Sequence, residues 1–282
     1  MNELQWIDYL KKQTKPAKDL LVGIGDDCAL VRLGKEKFLL KSDIFIEGVH
    51  FKLGDISFKD LGKRALGRVF SDFAACGGYP KFIGVSAGIP AYIKEKDLKQ
   101  ILDGVLFMCK KYNASLAGGD TSRSGKLILD IWGIGQTPKC ILRSTAKVGD
   151  HIFITGKLGI RKFNRPFEPR LNQAKELVKD FKINSMIDIS DGFILDMHRI
   201  LDSSKKGALL FKNNIPCCGG LSDLSRGEDY ELIFTVDKNE RKLSKLKNKY
   251  YFLGRIKPKS FGYKWESEDR LADIKVKGYT HF

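Results

Sequence analysis

Short runs rich in β-branched, aliphatic and aromatic residues alternate along this chain with longer segments whose apolar residues recur at helical spacing. That alternation is its tightest constraint on a fold. FLLKSDIFI, KFIGVSAGI, KLILDIWGIG, HIFITG, ALLFK and ELIFTV have the length and composition of strands. Between them, SFKDLGKRALGRVFSDFAAC, KEKDLKQILDGVLFMCKKY, NQAKELVKDFK and DGFILDMHRILDSS carry the helical period. The pattern predicts an α/β or α+β architecture. With 282 residues there is enough chain for two domains. GQTPKCILRSTAKVGD, with Pro138 and Gly149 between two strand-like runs, is the expected boundary, giving domains over 1–138 and 139–282. GKLGIRKFNRPFEPRL, with two prolines, reads as an extended loop. The first residues, MNELQWIDYLKKQTKP, read as an amphipathic helix without the apolar core of a secretion signal, and no apolar run is long enough to span a bilayer. A cytoplasmic protein with no membrane partner is expected.

The formal charge of +16 raises the question of nucleic acid. The basic residues are spread along the chain, densest from Lys238 to Lys264, where KNERKLSKLKNK reads as the solvated face of a helix. No helix-turn-helix, zinc-finger or RNP-type motif accompanies them, so no nucleic-acid partner is expected. The cysteines at 28, 76, 109, 140, 217 and 218 contain no CxxC pair and read as free thiols of a reducing compartment.

The acids are placed unusually for so basic a chain. LVGIGDDCAL, LLKSDIF, RVFSDFAACGG, SLAGGDTSRSG, SMIDISDGF and RGEDYEL each set carboxylates in Gly-flanked turns after apolar runs. Any one of them is explained by the preference of Asp for turns and helix N-caps. Six together imply crowded carboxylates, which repel and need cations. Oxygen ligands around phosphate chemistry point to Mg²⁺, and four histidines are too few for an imidazole-based zinc hydrolase. There is no GxGxxG and no protein-kinase HRD or DFG. DTSRSGKL misses the P-loop pattern, with Asp120 at the first Gly position and Leu127 at the Ser/Thr position.

Taken in order, GIGDD (23–27), KSDIFIEGVHF (41–51), SDFAACG (71–77), GGDTSRS (118–124), RSTAKVGD (143–150), TGKLG (155–159), IDISDG (187–192), GEDYEL (227–232) and GYTHF (278–282) resemble the thiamine-monophosphate kinase family. That family lies in the superfamily that includes aminoimidazole ribonucleotide synthetase. The resemblance covers nearly the whole chain. It implies a two-domain aminoimidazole ribonucleotide synthetase-like fold, α/β then α+β, whose N-terminal strands pair in a homodimer. It also implies Mg²⁺-dependent transfer of the ATP γ-phosphoryl group onto thiamine monophosphate, giving thiamine diphosphate and ADP. A phosphate monoester is already anionic at neutral pH, so no dedicated catalytic base is expected.

Carried over residue by residue, the resemblance makes Asp27, Ser42, Asp43, Asp72, Asp120, Asp188 and Asp191 the metal ligands, with Asp26 as a helper. Gly119, Asp120, Arg143 and Ser190 would meet ATP, and His50, Glu228 and Tyr279 the thiamine phosphate. Asp229 and Glu231 are expected to be structural, and Lys63 and Arg64 to cover a helix surface. Two departures stand out. After TGKLG the family continues with a small-residue helix, whereas this chain runs through IRKFNRPFEPRL, so a piece of the second domain is trimmed. The segment before GEDYEL is also short, with Arg226 in place of a Gly. Rival readings are another ATP-dependent small-molecule enzyme of the superfamily and a degenerate nucleotide-binding protein.

Overall fold

The computed structural model describes residues 1–15, 17–160, 165–268 and 270–281. After α1 (Glu3–Gln13) come β1 (Leu20–Val22), β2 (Ala29–Leu33), β3 (Glu36–Ile46), α2 (Phe58–Ala75), β4 (Tyr79–Ile89), α3 (Glu95–Lys111), β5 (Ser115–Arg123) and β6 (Ile128–Gln136). These six strands form one sheet in the order β1-β2-β3-β6-β4-β5. Its one parallel pair, β4 with β5, is bridged by α3, as parallel strands require. The remaining chain supplies β7 (His151–Ile154), α4 (Leu171–Asp180), β8 (Ile183–Asp188), α5 (Phe193–Ser204), β9 (Lys206–Phe211), β10 (Leu232–Val236), α6 (Leu243–Lys249), β11 (Tyr251–Pro258), β12 (Tyr263–Ser267) and β13 (Arg270–Asp273). Its strands form a second sheet in the order β13-β12-β9-β11-β7-β10-β8. Among the described residues no helix is long and apolar enough to cross a membrane.

The strand and helix runs read from the sequence all appear as elements. Three of the expected turns are not turns: Asp43 of LLKSDIF lies inside β3, Asp72 of RVFSDFAACGG lies inside α2, and SLAGGDTSR is the edge strand β5. Small residues put it there, because a Cβ at Gly119 would run into the Val85 carbonyl of β4. Of the segment GKLGIRKFNRPFEPRL, residues 161–164 lie outside the described residues, as does Phe282 of the terminal motif.

Helix α2 joins the two sheets. Ser57 caps it, its Oγ accepting from the Asp60 amide at 3.1 Å. Leu66, Phe70 and Phe73 of α2 are fully buried in a single cluster with Leu39, Ile83 and Ile131 of the first sheet and Phe153, Met186 and Phe234 of the second. Burial of a side chain of this size is worth about 1.5–3 kcal/mol, so one helix ties both sheets into a continuous core. Gly62 and Gly104 let α2 and α3 cross closely: a Cβ on either would strike a backbone carbonyl of the other helix, Ile101 or Lys59.

Among the described residues nothing gives the opposite face of the first sheet such cover. On β3 Leu39 and Phe45 are buried while Leu40 and Ile44 are exposed, the period-two alternation of a strand. Register places Leu40, Ile134 and Phe82 in one row across this open face, Ser42, Trp132 and Gly84 in the next, and Ile44, Asp130, Ser86 and Asp120 in a third.

Candidate active site

A cavity of about 1210 Å³ lies where β3, α2, the end of β8 and the loop before β10 converge. Asp27, Asp72 and Asp188 come to it from three different segments, and their carboxylate oxygens lie within 4.8 Å of one another. All three are buried. Burial, with Asp43 and Asp27 nearby, pushes the Asp72 carboxyl up to about 7 even though Lys41 opposes the shift. Burial and the charges of Asp72 and Asp27 hold Asp188 well above the ordinary carboxylate range. Three buried carboxylates gathered this closely form a donor set suited to a hard divalent cation with oxygen ligands.

Basic side chains answer most of the other acids. Lys41 Nζ is 3.0 Å from Asp72 Oδ2. Arg68 donates to both Asp43 oxygens, at 2.9 and 3.2 Å, and against the cost of burial Arg68 and Lys41 hold Asp43 below its ordinary pKa. Arg143 Nε donates to Asp27 Oδ2 at 3.1 Å and its Nη2 to Oδ1, while its amide donates to Asp26 at 3.2 Å. Burial and the Asp27 charge push Asp26 up to about 7. Arg199 reaches Asp191 and Asp196, each at 2.6 Å. Asp196 in turn accepts from the amides of Ser190 and Asp191 at 3.1 and 3.0 Å, fixing the turn into α5. Asp188 accepts from Ser71 Oγ at 2.6 Å.

Arg64 is a correction. Expected on a helix surface, it is fully buried, paired with Glu228, donating to the Arg165 carbonyl, and set over the rings of Phe167 and Tyr230 at 5.5 and 5.8 Å. Arg68 Nη1 also donates to Glu228, at 3.3 Å. The cause is the direction of α2: Arg64, Arg68 and Asp72 are spaced by four and form one stripe, which faces the loop of the second sheet instead of solvent. That loop is tightly constrained. Glu228 and Tyr230 both have positive φ, 73° and 51°, and Tyr230 is held by a parallel stack on Phe167, ring centres 3.8 Å apart. Asp229 accepts from the Gly159 amide at 2.8 Å, and Glu231 from Thr155 and Arg170, each at 2.7 Å, which are structural roles.

His50 is buried at the cavity's edge, its Nδ1 accepting from the Ile46 amide at 3.0 Å. The ring proton therefore sits on Nε2. Burial, with Arg68 and His281, pulls its pKa down to about 4, so the ring is neutral near pH 7. The C-terminal segment folds back over the same cavity: Tyr279 donates its amide to the Asp191 carbonyl at 2.9 Å, and the His281 amide donates to Glu3 of α1 at 2.9 Å. Tyr279 is half exposed.

The cavity thus gathers Asp27, Asp43, Asp72, Asp188, Asp191, Arg143, Ser190, His50, Glu228 and Tyr279. Ser42, Gly119 and Asp120 are not among its lining residues. Ser42 follows Lys41 and precedes Asp43 on one strand, so its side chain points to the open face, where Oγ donates to Asp130 at 2.8 Å. Asp120 shares that face through its register with Ser86. Lys41, Arg68, Arg199 and Asp196 line or buttress the cavity without having been singled out in the sequence. The four-residue spacing of Arg64, Arg68 and Asp72 was the available signal for the arginines, and the Asp five residues past Asp191 for the cap.

Fold and site together define an ATP-handling enzyme of the aminoimidazole ribonucleotide synthetase type, and residues 25–137 match the family model of AIR synthase related protein, N-terminal domain. The chain is similar to the thiamine-monophosphate kinase of Buchnera aphidicola from Acyrthosiphon pisum, 33% identical with 97% of this chain and 96% of that protein covered. It is likewise similar to that of Bacillus subtilis, 31% identical with both chains fully covered. Among solved structures, that of AaThiL complexed with AMPPCP and TMP superposes with a TM-score of 0.85 at 26% identity, covering 100% of this chain and 97% of that one. The chain belongs to the thiamine-monophosphate kinase family. The Buchnera alignment runs over 316 positions against 282 residues, so at least 34 of its positions fall in gaps of this chain.

Proposed function

We propose that this protein transfers the γ-phosphoryl group of ATP to the phosphate of thiamine monophosphate, a terminal phosphate oxygen attacking the γ-phosphorus as its bond to the β-phosphate oxygen breaks, to give thiamine diphosphate and ADP. The observation that carries the reading is the buried trio Asp27, Asp72 and Asp188 inside a cavity that also holds Arg143, Lys41 and Arg68. Mg²⁺ bound there would supply charge neutralisation for phosphate oxygens, and Asp27, Asp72 and Asp188 fit it by their oxygen chemistry, with Asp43 and Asp191 close by. Arg143 and Lys41, each now spent on an aspartate, are placed to turn to phosphate oxygens as charge-assisted donors. Ser190 offers a hydroxyl at the turn into α5. His50 presents a neutral Nε2–H, Tyr279 an exposed ring, and Glu228 a carboxylate held in one geometry by two arginines; together they would orient the acceptor. Positioning and electrostatics are then the whole of catalysis, and no side chain is needed as a base.

The same reading includes a homodimer. The open face of the first sheet carries Leu40, Phe82, Ile134 and Trp132 together with Ser42 and Asp120, so pairing of two copies there would cover an apolar surface and give Ser42, Gly119 and Asp120 a place beside ligands. Six free cysteines suit a reducing cytoplasm. The test is incubation with ATP, Mg²⁺ and thiamine monophosphate, with nucleotides and thiamine esters separated by chromatography. Equal yields of thiamine diphosphate and ADP, abolished by EDTA, are expected. ADP without thiamine diphosphate would overturn the acceptor, and neither product would overturn the kinase.

A further inference from the structure

Three of the six thiols meet beside the acidic trio, although they come from distant parts of the chain. Cys28 follows the GIGDD turn, Cys76 ends α2, and Cys140 lies in the connection after β6, which is tied to α2 by the Ile141 amide donating to the Cys76 carbonyl at 3.2 Å. Cys28 and Cys76 are buried and Cys140 half-buried. Cys28 and Cys140 both adjoin the Cys76 thiol. The Cys76 sulfur and carboxylate oxygens of Asp26 and Asp27 lie within 4.8 Å of one another. Phosphoryl transfer makes no use of sulfur, and the Cys76 thiol brings a soft ligand atom into a group with two carboxylates.

We propose that Cys76, with Cys140 and Cys28 beside it and the Asp26 carboxylate facing it, forms a binding site for a thiophilic divalent cation of the Zn²⁺ or Cd²⁺ type. Sulfur excludes Mg²⁺ as the natural occupant, since hard cations keep oxygen ligands while thiolates select soft or borderline ones. Tetrahedral zinc with sulfur and oxygen ligands at about 2.0–2.3 Å sets its ligand atoms roughly 3.5–3.8 Å apart, so the Cys76 sulfur and its facing carboxylate oxygens, now within 4.8 Å of one another, close by about 1 Å at most, and the neighbouring thiols turn in to complete the shell. Each coordinating thiol gives up its proton to solvent on binding. The site adjoins the acidic trio through Asp27, which belongs to both groups. Occupation draws Asp27 and its Arg143 partner toward the sulfurs, so a soft cation inhibits the enzyme. Cation binding is independent of the kinase reading; only the inhibition rests on it.

The test is titration of the full chain with Cd²⁺ in excess Mg²⁺ and a non-thiol reductant, read by the ultraviolet thiolate-to-cadmium charge-transfer band. One equivalent is expected to bind, with loss of the band in Cys76→Ala and affinity weakened by more than about tenfold in Cys140→Ser. Cys140 is half-buried and outside the catalytic machinery, so Cys140→Ser carries the test should Cys76→Ala fail to fold. A Cys217→Ala/Cys218→Ala variant is expected to bind as the parent does. No band, a band that survives both Cys76→Ala and Cys140→Ser, or a band lost with Cys217 and Cys218 overturns the site. Inhibition of thiamine diphosphate formation by Cd²⁺, relieved in Cys140→Ser, is read separately, so an inactive enzyme leaves the binding result standing.

Discussion

Asp188→Asn removes one charge from the trio while changing almost nothing else, because an amide oxygen can still accept the Ser71 hydroxyl hydrogen bond now made at 2.6 Å. At an effective dielectric of about 20, two unit charges separated by the 4.8 Å that bounds the trio repel by about 3 kcal/mol. Lys41 and Arg143 offset part of this, and the aspartate relieves more by binding a proton. What remains for the substitution to recover in metal-free protein is about 1–3 kcal/mol, which at about 2–4 °C per kcal/mol raises Tm by roughly 2–12 °C. Calorimetry in EDTA at neutral pH measures it. A second scan with Mg²⁺ and a non-hydrolysable ATP analogue should stabilise the parent by mass action and leave Asp188→Asn nearly unmoved, with turnover down by at least about 100-fold. A variant that melts several degrees below the parent in EDTA, yet gains as much from Mg²⁺ and nucleotide, would refute the reasoning and make Asp188 a packing residue.

The pH dependence of the metal-free protein follows from the same acids. Asp26, Asp72 and Asp196 are each raised from 3.8 to about 7, mainly by burial, so between about pH 4 and 7 the folded chain holds protons that the unfolded chain has lost, and stability falls as pH rises through that window. Urea unfolding in EDTA at several pH values should show the decline, and a stability that climbs from pH 4 to 7 contradicts it. Arg64→Met should destabilise by about 3–5 kcal/mol by leaving Glu228 half-answered in the interior, and a double-mutant cycle with Glu228→Gln should recover part of the loss; simple additivity would mean the two side chains do not act as a pair. Phe82→Glu, at a half-exposed position on the open sheet face, should give a monomer by light scattering and a sharp loss of turnover, whereas an unchanged particle mass would place the dimer contact elsewhere.

Much of the site was legible because its acids sit in motifs whose backbone role shows in the sequence. Asp27 follows a Gly turn, Asp188 ends an apolar strand run, and Asp191 precedes the Gly192 that opens α5 at φ 117°, so local grammar alone marked them. Strand β5 was misread as a turn because two adjacent glycines look the same in the sequence whether they supply a turn or a close approach between strands, and only the Val85 carbonyl decides. Arg64 was misread for a related reason. A helix stripe spaced by four shows in the sequence, but whether it faces water or a second domain depends on a loop more than 160 residues away, whose Glu228 is what makes a buried guanidinium tolerable.

The basic composition acquires a local meaning once the cavity is described. Lys41, Arg68, Arg143 and Arg199 each sit against an aspartate, while Asp188 accepts from the Ser71 hydroxyl. A cavity with this many carboxylates would be strongly self-repelling without those cations, and with them it stays folded before any metal or nucleotide arrives. The same pairs would then be the exchangeable part of the site: a cation that took over Asp27 and Asp72 would free a guanidinium and an ammonium at the moment when phosphates need them. Metal and nucleotide should therefore bind with positive cooperativity, each lowering the cost of breaking the Lys41–Asp72 and Arg143–Asp27 contacts for the other. Nucleotide affinity measured by calorimetry with and without Mg²⁺, in the parent and in Lys41→Met, separates this from simple metal–nucleotide chelation, because only the exchange of ion pairs predicts that removing the ammonium weakens the coupling.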